Sequence, residues 1–354
     1  MSKFFSEKYS SLTPYTPGEQ PLDKKYVKLN TNESPFPPSE KAKAYALENT
    51  RALNLYSDPN SVVLNKELAK TYSVEPENVI FTNGSDDILN FAFMAFCDEK
   101  HPAAFADITY GFYPVFAQFN NIPYEEIPLK DDFTLNVDDY IGINKTIFIA
   151  NPNAPTGKFV PVEQIEKIVA SNPDNVVVID EAYIDFGGES CIPLTKKYDN
   201  LLVVQTFSKS RSMAGARLGF GIACEKLIND LNTVRYSTNP YNINSMTQAI
   251  AIGTLLDPEY TKKNCETIIA NREYTEKKLA ERGFEFTDSK TNFVFAKSNL
   301  IGGGTLYEKL KEKGVLVRHF GKPKLCEYNR ITIGTKEQMD ILFEKIDEIT
   351  EEMK

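Results

Sequence analysis

At 354 residues, 42% hydrophobic and 25% charged, the chain has the length and balance of a soluble globule, most simply one large domain and a smaller one. Its formal net charge of −9 argues against nucleic acid or an anionic membrane as partner, although local arginines can still gather anionic small molecules. Two histidines, His101 and His319, are too few for a His-rich zinc site, and no metal is expected. The five cysteines are scattered without C-x-x-C spacing, which fits a reducing compartment better than a disulfide framework. The N-terminus lacks a signal-peptide core and no apolar run approaches membrane-spanning length, so a cytoplasmic location is expected.

Residues 1–40 are rich in Pro, Asn and Thr, as in Leu12-Thr13-Pro14-Tyr15 and Asn30-Thr31-Asn32-Glu33-Ser34-Pro35. They are expected to form an extended arm and not a packed element. The interspersed Tyr15, Tyr26, Val27, Leu29 and Phe36 suit an arm laid across its own site or across a partner subunit. From about residue 60 to 235, short apolar runs alternate with helical patterns. Val79-Ile80-Phe81 leads to Asn83-Gly84-Ser85-Asp86, Ala103-Ala104-Phe105-Ala106 to Thr109-Tyr110-Gly111-Phe112, and Val176-Val177-Val178-Ile179 to Asp180-Glu181. Such runs predict strands buried on both faces of a mostly parallel sheet, which places chemistry at the carboxyl ends of the strands.

A long helical pattern around 258–282 follows. Beyond it, Phe284-Glu285-Phe286 and Asn292-Phe293-Val294-Phe295-Ala296 read as alternating strands, and a helix is expected near 304–313. Val315-Leu316-Val317-Arg318 and Arg330-Ile331-Thr332-Ile333 read as further strands, and a final amphipathic helix begins near Lys336. This is the α+β pattern of a smaller domain. The expected division is an arm over 1–40 that contributes to the small domain and its site, a large domain over 41–255 and a small C-terminal domain over 256–354.

The most specific block is Thr206-Phe207-Ser208-Lys209, directly after Leu201-Leu202-Val203-Val204, with Arg217 following in Gly215-Ala216-Arg217-Leu218-Gly219. A lysine at the end of a buried strand, flanked by hydroxyls and followed by a fixed cation, meets the needs of a phosphorylated aldehyde. The amine forms a Schiff base, while the hydroxyls and arginine hold the phosphate. By spacing alone, an ordinary surface lysine at a strand exit fits too. Asp180, followed by Glu181-Ala182-Tyr183, is placed to keep a pyridine nitrogen protonated, with Tyr183 at a phenolic oxygen of the same ring; a carboxylate capping the next turn fits equally. Gly84-Ser85-Asp86 opens a helix whose N–H groups suit a phosphate, or simple capping. Tyr110 is placed to stack on a ring or to pack in the core. Arg330 suits a bidentate pair with a carboxylate or phosphate, or a surface salt bridge.

In this order the pieces resemble the fold-type I pyridoxal-phosphate aminotransferases, class II, and within them the histidinol-phosphate aminotransferases, over nearly the whole length. The resemblance is carried by Leu12-Thr13-Pro14-Tyr15, Leu29-Asn30-Thr31-Asn32-Glu33, Thr109-Tyr110-Gly111, Asn151-Pro152-Asn153-Ala154-Pro155-Thr156-Gly157, Asp180-Glu181-Ala182-Tyr183, Ser208-Lys209 with Arg217, and Arg330-Ile331-Thr332-Ile333-Gly334. It implies an α/β fold, the PLP-dependent transferase fold, in which helices cover a mostly parallel seven-stranded sheet and a smaller α+β domain follows. It also implies pyridoxal 5'-phosphate as cofactor. The implied activity is a ping-pong exchange of an amino group between histidinol phosphate with 2-oxoglutarate and imidazole acetol phosphate with glutamate, in histidine biosynthesis.

By the same resemblance Lys209 carries the Schiff base and moves the proton, Asp180 pairs with the pyridine nitrogen, Tyr183 meets the phenolic oxygen and Tyr110 stacks on the ring. Gly84, Ser85, Asp86, Thr206, Ser208 and Arg217 surround the phosphate. Tyr56, in Leu55-Tyr56-Ser57-Asp58-Pro59, matches a tyrosine that reaches the neighbouring subunit's cofactor phosphate, which implies a homodimer. Arg330 matches the arginine that receives the carboxylate of glutamate. Arg318 and Tyr15 match positions at the phosphate end of the substrate, and Asn32 belongs to the substrate-binding part of the arm. Ala154 departs from the family, which commonly has Asn before Pro-Thr-Gly; its methyl cannot donate to the phenolic oxygen, so either Asn153 substitutes or Tyr183 suffices. The same blocks fit an aromatic or broad-specificity amino-acid aminotransferase, and a threonine-phosphate decarboxylase-like lyase shares the scaffold.

Overall fold

The computed structural model describes residues 2–353. The arm carries one 3-10 turn, Glu7–Tyr9, and a short strand β1 (Val27–Lys28) before helices α1 (Glu40–Asn49) and α2 (Val62–Tyr72). There follow β2 (Val79–Thr82), α3 (Ser85–Phe96), β3 (Ala103–Ala106), α4 (Tyr113–Asn120), β4 (Tyr124–Ile127), β5 (Thr146–Ala150), α5 (Val162–Ser171), β6 (Val177–Asp180), β7 (Leu201–Thr206) and β8 (Gly219–Ile222). Helices α6 (Glu225–Thr238), α7 (Ser245–Leu255) and α8 (Pro258–Ala280) lead to β9 (Phe284–Phe286), β10 (Phe293–Ser298), α9 (Gly303–Glu312), β11 (Val315–Leu316), β12 (Arg318–His319), β13 (Tyr328–Thr332) and α10 (Lys336–Glu352).

Strands β2 to β8 form one seven-stranded sheet in the order β2-β8-β7-β6-β5-β3-β4. Pairing is parallel except at β8, which runs against both neighbours. Every residue of β2, β3, β5, β6, β7 and β8 is buried, as a sheet covered on both faces requires. Alternate side chains divide between two cores. Ile147, Ile149, Ile179 and Val203 join Leu64, Leu68 and Ile165 on one face, while Phe148, Val178, Leu202 and Val204 join Ile88, Phe93 and Tyr113 on the other. Edge strand β4 exposes Tyr124, Glu125 and Glu126, and its charges discourage further pairing.

The second sheet is antiparallel, in the order β12-β13-β10-β9. Ile268 of α8, Leu306 of α9, and Leu342 and Ile346 of α10 share a core with Val294, Ala296 and Ile331. Three local expectations need correction here. Phe293 to Ala296 do not alternate: all four are buried, because β10 is an interior strand with the helices on one side and Phe133 and Leu325 against Phe295 on the other. The single strand expected over Val315–Arg318 is two, since β11 pairs with β1 and β12 with β13. The arm is more than an extended tail. Val27 N–H donates to the Gly314 carbonyl at 2.9 Å and Leu29 N–H to the Leu316 carbonyl at 2.8 Å, and Leu29, Asn30 and Asn32 are buried. Among the described residues no helix is long and apolar enough to cross a membrane, and no three His, Cys, Asp or Glu side chains gather as metal ligands.

Candidate active site

The carboxyl ends of the central strands open into a cleft lined by Ala150, Asp180, Thr206, Ser208 and Lys209. In one corner β8 begins at Gly219, packed so closely on the turn before α3 that a Cβ there would lie 2.2 Å from the Ser85 nitrogen. The turn itself depends on Gly84, whose φ is +88°. No side chain caps α3, so its first-turn N–H groups stay available beside the cleft, which Ser85 and Asp86 line. Arg217 reaches the same turn and its Nη2 donates to Asp86 Oδ2 at 3.0 Å. The buried Thr206 donates to the Leu218 carbonyl at 3.3 Å and accepts from the Ser208 N–H at 3.1 Å. That bond fixes Ser208 at the cleft wall. An uncapped helix start, a guanidinium and a buried hydroxyl in one corner fit a phosphate group.

Lys209 extends from the next position, with its Nζ 5.7 Å from the centroid of the Tyr183 ring and donating to the Thr31 carbonyl at 3.4 Å. Asp180, the last residue of β6, also lines the cleft. Its Oδ2 accepts from the Tyr113 hydroxyl at 3.1 Å and its Oδ1 from the Ala182 N–H at 3.2 Å. Burial pushes the Asp180 carboxyl up to about 7 in spite of those donors. A cation brought beside it favours the ionised form. The Tyr110 hydroxyl donates to Asp86 Oδ1 at 2.7 Å; desolvation and that carboxylate push the phenol well above its ordinary range, so it serves as a neutral aromatic wall. The Tyr183 hydroxyl accepts from Asn32 Nδ2 at 2.9 Å, which leaves its own proton to donate.

Tyr110, Ala154, Tyr183 and Lys209 also line a second, larger cavity, so the lysine stands in a wall shared by both spaces. Arg330 reaches this cavity from β13. Its Nη2 donates to the Asn30 carbonyl at 3.1 Å, its guanidinium lies 5.3 Å from the Phe293 ring centroid, and its enclosed Nε has no partner. Desolvation pushes its pKa below the ordinary value. A desolvated cation with a spare donor is a seat for an anion. Arg318 donates to the Thr16 and Pro17 carbonyls at 3.1 and 3.2 Å, clasping the arm across this end of the cavity. Tyr15 stacks on Phe112 with centroids 4.2 Å apart.

Thus the structure brings Gly84, Ser85, Asp86, Tyr110, Asp180, Tyr183, Thr206, Ser208, Lys209 and Arg217 to one cleft, and Tyr15, Asn32, Arg318 and Arg330 to the cavity beside it. Asn153 is not among them. Its Nδ2 donates to the Ile108 carbonyl and to Thr156 Oγ1, both at 2.9 Å, and its Oδ1 accepts from the Thr109 hydroxyl at 2.9 Å. The carboxamide is consumed in shaping its loop and does not replace the amide missing at Ala154. Tyr56 lies on the surface, 83% exposed and stacked on Tyr241. Two contributors went unrecognised in the sequence. Thr31 acts through its carbonyl, which has no side-chain signal, and Tyr113 lies in the run Tyr110-Gly111-Phe112-Tyr113, where nothing separates a packing ring from a bonding hydroxyl.

Residues 24–346 match the family described as Aminotransferase class I and II. The chain is 51% identical to the histidinol-phosphate aminotransferase of Brachyspira hyodysenteriae over 348 residues, 98% of each chain. It is 48% identical to the histidinol-phosphate aminotransferase of a Marinomonas species over 346 residues, 97% of this chain and 98% of that one. In three dimensions it resembles the histidinol-phosphate aminotransferase of Sinorhizobium meliloti in complex with pyridoxal-5'-phosphate, with a TM-score of 0.90, covering 100% of this chain and 99% of that one at 21% identity. That likeness establishes the PLP-dependent transferase fold. By identity and coverage, the chain belongs to the class I and II aminotransferases and, within them, to the histidinol-phosphate aminotransferases.

Proposed function

We propose that this enzyme passes an amino group between histidinol phosphate with 2-oxoglutarate and imidazole acetol phosphate with glutamate, at a pyridoxal 5'-phosphate site, as a step of histidine biosynthesis. One observation carries the reading: Lys209 stands in the wall between a cleft with a phosphate-ready corner and a cavity that holds two arginines. Bound pyridoxal phosphate supplies an aldehyde for an amine and a ring that accepts the electron pair left when a proton leaves the substrate carbon. The chain's own residues do the rest. The α3 start, Thr206, Ser208 and Arg217 hold the phosphate. Asp180, oriented by Tyr113 and the Ala182 N–H, holds a proton at the ring nitrogen. Tyr183, oriented by Asn32, donates to the phenolic oxygen and answers the departure at Ala154, while Tyr110 covers one ring face.

Lys209, once its amine is free, takes the proton from the substrate carbon and returns it one atom away. Arg330 receives the carboxylate of glutamate through the guanidinium edge that faces the cavity, and Arg318 with Tyr15 meets the phosphate end of the other substrate. Only one anion need occupy the cavity at a time, which suits a ping-pong exchange. The proposal includes a cytoplasmic homodimer in which the exposed Tyr56 reaches the neighbouring subunit's phosphate corner. It also includes the division into an arm over 1–40, a cofactor domain over 41–255 and a small domain over 256–354.

The test is glutamate formation from histidinol phosphate and 2-oxoglutarate by the purified protein beside Lys209→Ala. Loss of turnover with an unchanged circular dichroism spectrum is expected. Near-normal turnover by the variant would remove Lys209 from the mechanism.

A further inference from the structure

A chain of polar side chains, lining neither of the two spaces above, connects the two loops that carry the reacting groups. It begins at the buried Glu181, next to Asp180, whose carboxylate accepts from the Ser190 hydroxyl at 2.6 Å and from Gln205 Nε2 at 2.9 Å. Gln205, on β7, accepts from the Tyr72 hydroxyl at 2.7 Å. Tyr72, the last residue of α2, in turn accepts from Arg211 Nη2 at 2.7 Å. The other nitrogen of that guanidinium, Nη1, donates to Asp185 Oδ2 at 3.2 Å, to the Ser210 hydroxyl at 3.4 Å and to the Thr206 carbonyl at 3.5 Å. Ser210 closes the ring by donating to Asp185 Oδ2. Arg211 is 9% exposed and lies over the Phe207 ring at 5.1 Å.

We propose that Arg211 is a positioning residue: through Asp185, Ser210 and Tyr72 it fixes the loop carrying Lys209 against the β6 exit that carries Asp180 and Tyr183. The inference rests on Lys209 being the residue that bonds the cofactor. Lysine has a flexible stem, so where its amine falls depends on how firmly its backbone is held. In this loop the Ser212 N–H donates to the Lys209 carbonyl at 3.2 Å and the Met213 N–H to the Phe207 carbonyl at 3.0 Å, both within the loop. The Phe207 N–H donates to the Leu218 carbonyl at 2.9 Å and so ties the loop toward β8, not toward the β6 exit. The ties outward to the β6 exit run through Ser210 and Arg211, the two residues that follow Lys209, which meet Asp185 two residues after Tyr183. A planar guanidinium donates to Asp185, Ser210 and Tyr72 at once. An ammonium at the end of a lysine stem lacks that fork.

The experiment compares holoenzymes of wild type, Arg211→Lys, Arg211→Gln, Tyr72→Phe and Lys209→Ala. The readouts are the pH midpoint of the visible band of the lysine–cofactor bond without substrate, kcat for each half-reaction, and Tm. A misplaced lysine lowers both kcat values by about tenfold to a hundredfold and moves the midpoint by about half a pH unit or more. Both Arg211 variants are expected to show this, Lys rescuing little, and Tyr72→Phe to show it at smaller amplitude. Wild-type midpoint and kcat in Arg211 variants with lowered Tm would reduce Arg211 to a packing role and overturn the inference. Should the Arg211 variants not fold, Tyr72→Phe, which removes one hydroxyl, decides by the same readouts. If Lys209→Ala keeps the band, the lysine assignment fails. If it loses the band while the Arg211 variants behave as wild type, only the positioning claim fails.

Discussion

Replacing Arg330 by alanine takes away one of the two arginines that face the second cavity and nothing that holds the cofactor. In the proposed complex the carboxylate of glutamate meets the guanidinium edge that faces the cavity as charge-assisted hydrogen bonds. Removing one partner of a desolvated charged pair costs about 2–5 kcal/mol. Because Nε is enclosed while the guanidinium edge opens on the cavity, a value in the lower half of that range applies. About 3 kcal/mol converts to a fall of roughly 150-fold in kcat/KM for the glutamate half-reaction. Stopped-flow absorbance over a range of glutamate concentrations measures it directly. Most of the loss is expected in KM, since the carboxylate is a charge that the reaction does not alter. Arg330→Lys keeps the charge but not the fork and should recover part of the loss. A glutamate half-reaction unchanged in Arg330→Ala would refute the placement of the carboxylate.

Three other outcomes are expected. Gly219→Ala puts a Cβ 2.2 Å from the Ser85 nitrogen, so the phosphate corner must shift, at about 1–3 kcal/mol for overpacking; Tm and cofactor retention on dialysis should both fall, and unchanged retention would contradict the corner's role. Burial pushes Glu181 up to about 7, above the value of about 4.3 in an unfolded chain. The folded state therefore holds that proton more tightly, and the stability it contributes, complete below about pH 4, is lost as pH rises through about 7. In Glu181→Gln the decline of Tm between those limits should flatten, and an identical slope would count against it. Tyr56→Ala, in a protein that still sediments as a dimer, should lose cofactor faster than wild type; equal retention would argue that the tyrosine does not cross to the neighbouring site.

Much of this was legible in the chain because its signals are local. Continuous runs such as Val177-Val178-Ile179 in β6 and Leu201 to Val204 in β7 announce strands covered on both faces, and the groups at their ends follow from the topology. The less legible parts depend on contacts between residues far apart in sequence. Nothing in Val315-Leu316-Val317-Arg318 shows that the arm pairs with its first half, yet that pairing turns Arg318 into the neighbouring sheet. Asn153 lost its expected role because Ile108 and Thr109, on another loop, engage its carboxamide. Asn32 serves the site for the same kind of reason, its amide meeting Tyr183 across 151 positions of sequence. Likewise Arg211, two residues beyond Lys209, reads as one more charge on a loop until Tyr72 and Asp185 are seen around it.

The most direct test of the central claim is a titration of the cofactor-loaded protein with histidinol phosphate, followed in the visible spectrum, with phenylalanine as comparison. Conversion of the band at low histidinol phosphate, with phenylalanine far weaker, is the predicted result. An equal or stronger response to phenylalanine would contradict it and make the enzyme a broad aromatic aminotransferase.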